Sequence, residues 1–299
     1  MAGKHSKSFF DFRKREFLTR FVVKETESTI SLPFKIIIYT LVLSLLVSFV
    51  LVGNFFTQGK RNKKTLIKSQ QIFASLNSDD ALKELSQKNP DIKGWIKIGG
   101  TNINNVVCQG NDDSYYINHN YLGKRSRYGS LFLSHNDTFE REGNDHNIVI
   151  FGNNMKDSTM FGELKEYRKL SFYKQNPTLN LYYNDKCETY IVFAVFLTSS
   201  STDDDGNLFY PGKSHFATED EFSAWYNEIC ERSILNTTVS ASRNDDLLTL
   251  VTVADDFDGA RLVVMAKKVE EWQAELTDVS GASVNPKPKH PKIWYETKK

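Results

Sequence analysis

The chain has 299 residues, with 38 Lys and Arg against 37 Asp and Glu, so no global field favours nucleic acid. Proline is scarce at 7 residues and aromatics are plentiful, with 13 Tyr and 21 Phe. That excludes a largely disordered chain and predicts a substantial core, in one large domain or two modest ones.

In chain order, residues 1–33 form a basic tail that includes Lys4, Lys7, Arg13, Lys14, Arg15, Arg20 and Lys24. The run "FKIIIYTLVLSLLVSFVLVGNFF" follows, with no charge between Lys35 and Lys60. A bilayer core needs about 20 apolar residues in a helix, which predicts a membrane anchor over 34–57. A cleavable signal peptide would have a shorter apolar region nearer the start. Lys60, Arg61, Lys63, Lys64 and Lys68 follow the run closely, so the flanking charges only weakly set orientation. The simpler arrangement is a single-pass protein of the cell membrane, with its tail cytoplasmic and its C-terminal bulk outside.

Residues 58–89 read as a helical stalk. Leu66, Ile72, Phe73 and Leu76 fall near one face, and "SDDALKEL" opens a second helix with a Ser cap before Asn89-Pro90. Over 90–270 the pattern changes to short alternating stretches separated by Gly and Asn. The strand candidates are 94–110, 130–135, 147–152, 178–184, 187–199, 247–253 and 260–268, which suggest a closed barrel or a sandwich. One helix interrupts them at 217–233. Thr218 to Glu221 reads as a capping box, and Phe222, Trp225, Tyr226 and Ile229 recur on one face, the mark of core packing. Residues 271–299, rich in Pro and Lys, read as an extended appendage.

Cys108, Cys187 and Cys230 lack the spacing of a metal site or of a disulfide framework, so they read as mostly buried thiols. No cofactor is implied.

Several longer stretches carry more: residues 89–124, "YGSLFL" (128–133), "NIVIFGNNMKDSTMFGELKEY" (147–167) and "TLVTVADDFDGARLVV" (249–264). Together these resemble class B sortases, the membrane-anchored cysteine transpeptidases of Gram-positive surfaces, over roughly residues 85–268. The resemblance implies a mostly β, α+β fold. Its core is a closed eight-stranded barrel with N-terminal helices and a long helix between the sixth and seventh strands. It also implies partners: the C-terminal sorting signal of a surface protein, and an amine of the cell wall or of a pilin.

Sortase chemistry needs a Cys thiolate as nucleophile, a His to protonate the leaving amine and an Arg to hold the oxyanion. The family's His lies in a motif matched here by Phe151-Gly152-Asn153-Asn154-Met155, which puts Asn153 at the His position. Its Cys ends a strand matched by Thr249-Leu250-Val251-Thr252-Val253, which puts Val253 at the Cys position. The Arg is present as Arg261. Val has no nucleophilic atom and Asn no proton that titrates near neutrality.

Thr252 and Asp255 are the neighbouring groove candidates, although strand alternation turns Thr252 to the face opposite Val253. Cys108 reads as a core thiol. His119, His135 and His146 match no catalytic position, and His135 alone follows a strand close to the motif. Arg261 could equally serve a salt bridge to Asp255, Asp256 or Asp258. The sequence therefore points to an inactive sortase relative that binds a sorting-signal peptide, a pilin or a partner sortase. The alternatives are a working transpeptidase or peptidase with relocated groups, and a purely structural wall-associated domain.

Overall fold

The computed structural model describes residues 31–140, 146–201 and 211–298. By its contacts the protein divides into two units, Met1–Thr57 and Gln58–Lys299. Within the first, the described residues belong to the start of helix α1 (Leu32–Ser75), which is long and apolar enough to cross a membrane. The basic segment 1–30 lies outside the described residues.

The second unit begins with the rest of α1. Leu66 and Ser69 are buried there, Gln70 donates to the Asn104 carbonyl at 2.9 Å, and the Phe73 ring stacks on Trp95 at 4.2 Å. Helix α2 (Ser78–Lys88) follows and buries Ala81 and Leu85. Its cap is Asn77, not Ser78: the Asn77 Oδ1 accepts from the Asp80 amide at 2.9 Å, one residue earlier than the sequence suggests.

Eight strands close a barrel. They are β1 (Ile92–Ile98), β2 (Asn104–Cys108), β3 (Leu131–Leu133), β4 (Asn147–Gly152), β5 (Thr178–Tyr183), β6 (Lys186–Ser199), β8 (Leu247–Val253) and β9 (Ala260–Val269). Their order around the barrel is β1-β2-β3-β4-β8-β9-β6-β5. The β2–β3 and β4–β8 pairs are parallel and the others antiparallel. Strand β7 (Leu235–Asn236) stands apart. Helix α3 (Leu170–Gln175) precedes β5, and α4 (Glu219–Arg232) lies between the sixth and seventh barrel strands.

The continuous apolar runs of β6, β8 and β9 arise because both faces are covered. Leu248, Leu250, Leu262 and Val264 point into the barrel. Leu247, Val251, Val263 and Met265 point outward, where Phe222, Trp225 and Ile229 of α4 cover part of that wall. The predicted helical stripe is thus core packing, with Tyr226 half-buried beside it. The capping box is only half made. Thr218 Oγ1 accepts from the Glu221 amide, while the Glu221 carboxylate accepts from Ala217 rather than from the cap residue. A bulge at Phe193 breaks the register of β6 against β9, which lets a 14-residue strand bend around the barrel.

The C-terminal segment departs from expectation. It is not a free appendage but a strap folded onto the barrel, including α5 (Glu271–Leu276), β10 (Ser283–Val284) and α6 (Lys292–Thr297). Strand β10 pairs with β7, and the Asn285 amide donates to the Ile234 carbonyl at 2.8 Å. Ala282 is buried, while Val279, Ile293 and Trp294 pack against the barrel core. Proline and lysine content concealed this, because the anchoring apolar residues are few and carry no period.

Trp294→Ala in the full-length protein in detergent should lower stability by about 1–3 kcal/mol, less than a fully buried Trp would cost, seen as a lower Tm. An unchanged Tm would return the segment to a free tail.

His290 stacks on Trp294 at 4.1 Å, and burial is the main cause holding its pKa below the ordinary value, with Asp256 opposing and Arg168 and Arg232 assisting. The folded state therefore binds this proton more weakly than the unfolded one. The contribution is complete above the unfolded value of about 6.5 and is lost as pH falls through the lower folded value. Strap docking, followed by Trp294 fluorescence, should loosen on acidification, and His290→Phe should reduce that loosening.

Candidate functional site

Two strand pairings build the site. The parallel β4–β8 register runs from Asn147–Leu247 to Gly152–Thr252, so both strands end together and Asn153 follows beside Val253. The antiparallel β8–β9 register ends on the pair Val253–Arg261. Directly opposed residues of such a pair share a face, with Cβ atoms about 4.5–5.5 Å apart. Val253, Asn153 and Arg261, nominated from sequence, therefore line one cleft of about 310 Å³.

Its floor and walls are apolar. Phe132, Phe151 and Val251 lie in adjacent register across β3, β4 and β8, and Ile117 closes one side. The Phe132 and Phe151 rings stack at 5.4 Å. Val253 is 43% exposed, because α4 does not cover this end of the outer wall. None of these wall residues was legible as a groove residue in the sequence. Their alternation signals burial, and burial under a helix and exposure in a cleft leave the same pattern.

Asn153 is fixed. Its Nδ2 donates to the Ile117 carbonyl at 2.8 Å and to the Tyr128 carbonyl at 3.1 Å, so both amide hydrogens tie down the loop between β2 and β3. Gly129, with φ +63°, makes room: a Cβ there would meet the Tyr116 carbonyl at 2.5 Å and Asn153 Nδ2 at 2.9 Å. Gly152 is needed for a similar reason, since its Cβ would lie 2.3 Å from Leu131.

Arg261 is half-buried. Its Nη1 donates to the Ala260 carbonyl at 3.0 Å and the Gly259 carbonyl at 3.3 Å. Among the described residues no carboxylate pairs with it. Asp256, one of the suggested partners, instead receives both terminal nitrogens of Arg168, at 2.8 and 3.0 Å. Burial lowers the Arg261 pKa.

Thr252, as alternation implies, turns away from solvent and donates to the Gly152 carbonyl at 2.7 Å, though it also lines the cleft. Asp255 lies on a second, more polar cleft of about 360 Å³ that shares Thr252 and Val253 and is also lined by Lys165, Arg168, Asp256 and Lys298.

The other candidates fall elsewhere. Cys108 is fully buried among Trp95, Tyr116 and Phe132, and burial, with Asp91, drives its thiol far above the ordinary range. Cys187 and Cys230 are exposed rather than buried, since each sits on an outward-facing element position. Desolvation of the sulfur still raises both thiols, outweighing the hydrogen bonds with Tyr182 and Tyr226. His119 stacks on Tyr115, His135 pairs with Asp113, and His146 with Asp246. None of the six lines the Val253 cleft, although Asp113 reaches its edge.

A closed mixed barrel with a cleft where two parallel strands end, and an arginine opposite the last residue of one, defines a sortase-type protein. No family model matches the sequence. It is 31% identical over 194 residues to sortase B of Listeria monocytogenes, spanning 64% of this chain and 74% of that protein. It is 28% identical over 244 residues to sortase B of Staphylococcus aureus, spanning 77% and 96%. Among solved structures, a Staphylococcus aureus sortase B–substrate complex superposes with a TM-score of 0.64 at 26% identity, over 72% of this chain and 99% of that one. The protein belongs to the class B sortase family.

Asn153→Ala should cost about 1–3 kcal/mol, since it leaves two carbonyls without their donor. Hydrogen exchange should accelerate over residues 115–129 more than in the barrel strands. Unchanged exchange there would mean that the loop is held by other contacts.

Proposed function

We propose that this is a membrane-anchored extracellular sortase-like protein that has lost transpeptidation and binds a sorting-signal peptide, a pilin or a partner sortase, with the peptide in its groove. The observation that carries it is Val253. An isopropyl group stands at the strand end beside Arg261, where the family's chemistry needs a thiolate, and it has no lone pair with which to attack a carbonyl. Asn153 compounds the loss, because its amide is committed to two carbonyls and cannot protonate a leaving amine. Relocation of the nucleophile is opposed by the placement of the thiols: none of the three lines the cleft, and burial raises the pKa of each above its ordinary value.

Peptide binding is supported by the open apolar groove and by the likeness to a sortase B captured with its substrate. Anchoring is supported by the length and apolar character of α1, and an outward-facing barrel by the family's membership of cell-surface proteins.

The full-length protein in detergent, mixed with a sorting-signal peptide, should give no cleavage product and no thioester adduct by mass spectrometry. Turnover abolished by Cys108→Ser would overturn the reading. The double substitution Val253→Cys with Asn153→His should allow labelling of the new thiol by a peptide-like electrophile, with little transpeptidation. A neutral imidazole has one N–H where Asn153 uses two, so the loop loses a tie as the acid is gained. Each single change should label far less, because nucleophile and acid act as a unit.

A further inference from the structure

We propose that the Val253 cleft selects ligands with a free carboxylate next to an apolar residue, such as the C-terminus of an already cleaved peptide, over the uncleaved amide. The inference rests on the reading of the cleft as a peptide groove and names its ligand class.

Arginine has five N–H donors in a planar fork. In Arg261 only Nη1 is used, on the Gly259 and Ala260 carbonyls, so the edge formed by Nε and Nη2 has no partner among the described residues. That edge matches the two oxygens of a carboxylate, which it can bind through parallel charge-assisted bonds. A backbone amide offers a single carbonyl oxygen and no charge.

The surroundings favour an anion. Of the described residues lining the cleft, Val253, Val251, Phe151 and Phe132 are apolar and Asn153 is neutral, so Arg261 is its one cation. Asp113 is the one carboxylate among them, and it is engaged by the His135 amide at 2.7 Å and the His135 ring at 3.2 Å. Asp255 belongs to the neighbouring cleft, and Asp256 is held by Arg168. A half-buried cation with no counter-ion among the described residues costs free energy that an incoming carboxylate would recover. The terminal carboxyl of a peptide, with a pKa of about 3.5, is ionised at neutral pH. A thiolate beside Arg261 would repel such a ligand, and Val253 cannot. The apolar floor then accommodates the side chain that precedes the carboxylate.

The experiment compares two probes on the full-length protein in detergent, N-acetyl-Ala-Ala-Leu as the free acid and as the C-terminal amide, by isothermal titration at low and high salt. The free acid should bind at least tenfold tighter, and the preference should shrink with salt. Arg261→Gln, with Tm measured to show that it folds, should bring the acid down to the affinity of the amide. Arg261→Lys should retain only part of the preference, because an ammonium keeps the charge without the fork. Equal affinity of acid and amide for the unmodified protein, or a preference that survives Arg261→Gln, overturns the inference and leaves the peptide groove standing. Failure of both probes, and of a sorting-signal peptide run alongside, overturns the groove reading and the inference with it.

Discussion

Six register pairs, from Asn147–Leu247 to Gly152–Thr252, hold β4 and β8 side by side in parallel, and they bring Asn153 beside Val253, the residue that the β8–β9 register sets opposite Arg261. Parallel neighbours cannot be joined by a hairpin, so the residues that meet at their ends are far apart in sequence. The pair is pinned at both ends. Thr249 Oγ1 donates to Asn147 Oδ1 at 2.8 Å near the start, and Thr252 Oγ1 to the Gly152 carbonyl at 2.7 Å at the finish. A slip of one residue would turn Leu248 and Leu250 out of the barrel and Val253 away from Arg261. The burial that stabilises the core therefore also fixes the geometry of the cleft.

Within that frame, Val253 and Asn153 differ in kind. Val253 is an exposed apolar group at a strand end, with no structural task that another small residue could not perform. Asn153 has been put to use: its amide holds the β2–β3 loop that walls the groove. A residue so tied cannot be exchanged without moving the wall. The groove wall thus leans on contacts that Asn153 makes through both of its amide hydrogens.

The strap adds a second structural commitment. It seals the barrel beside β7, ion-pairs Lys289 to Glu228 at 2.5 Å, and carries Lys298 to the polar cleft that shares Val253. The C-terminal residues thus border the same strand end as the site, although nothing in their composition distinguishes them from a solvated tail. Polar anchoring through backbone amides, as from Asn285 and Lys289, leaves no trace in hydropathy, because every residue but proline has an amide to give.

The sequence by itself determined the barrel strands and the helix between the sixth and seventh of them, and it nominated Asn153, Val253 and Arg261, which line one cleft. Strand alternation, helix period and motif order are local properties, written in neighbouring residues. It also supplied the residue types at those positions, and a valine side chain holds no nucleophilic atom. Only the tertiary structure decided what surrounds those positions. That Asn153 and Arg261 meet Val253 in one cleft, that Asp256 turns to Arg168, that Asn153 commits its amide to Ile117 and Tyr128, and that Cys187 and Cys230 are exposed all depend on contacts between segments distant in sequence. Such contacts are chosen by the closure of the barrel, and a single sequence carries no periodic signal of which partner a side chain will meet.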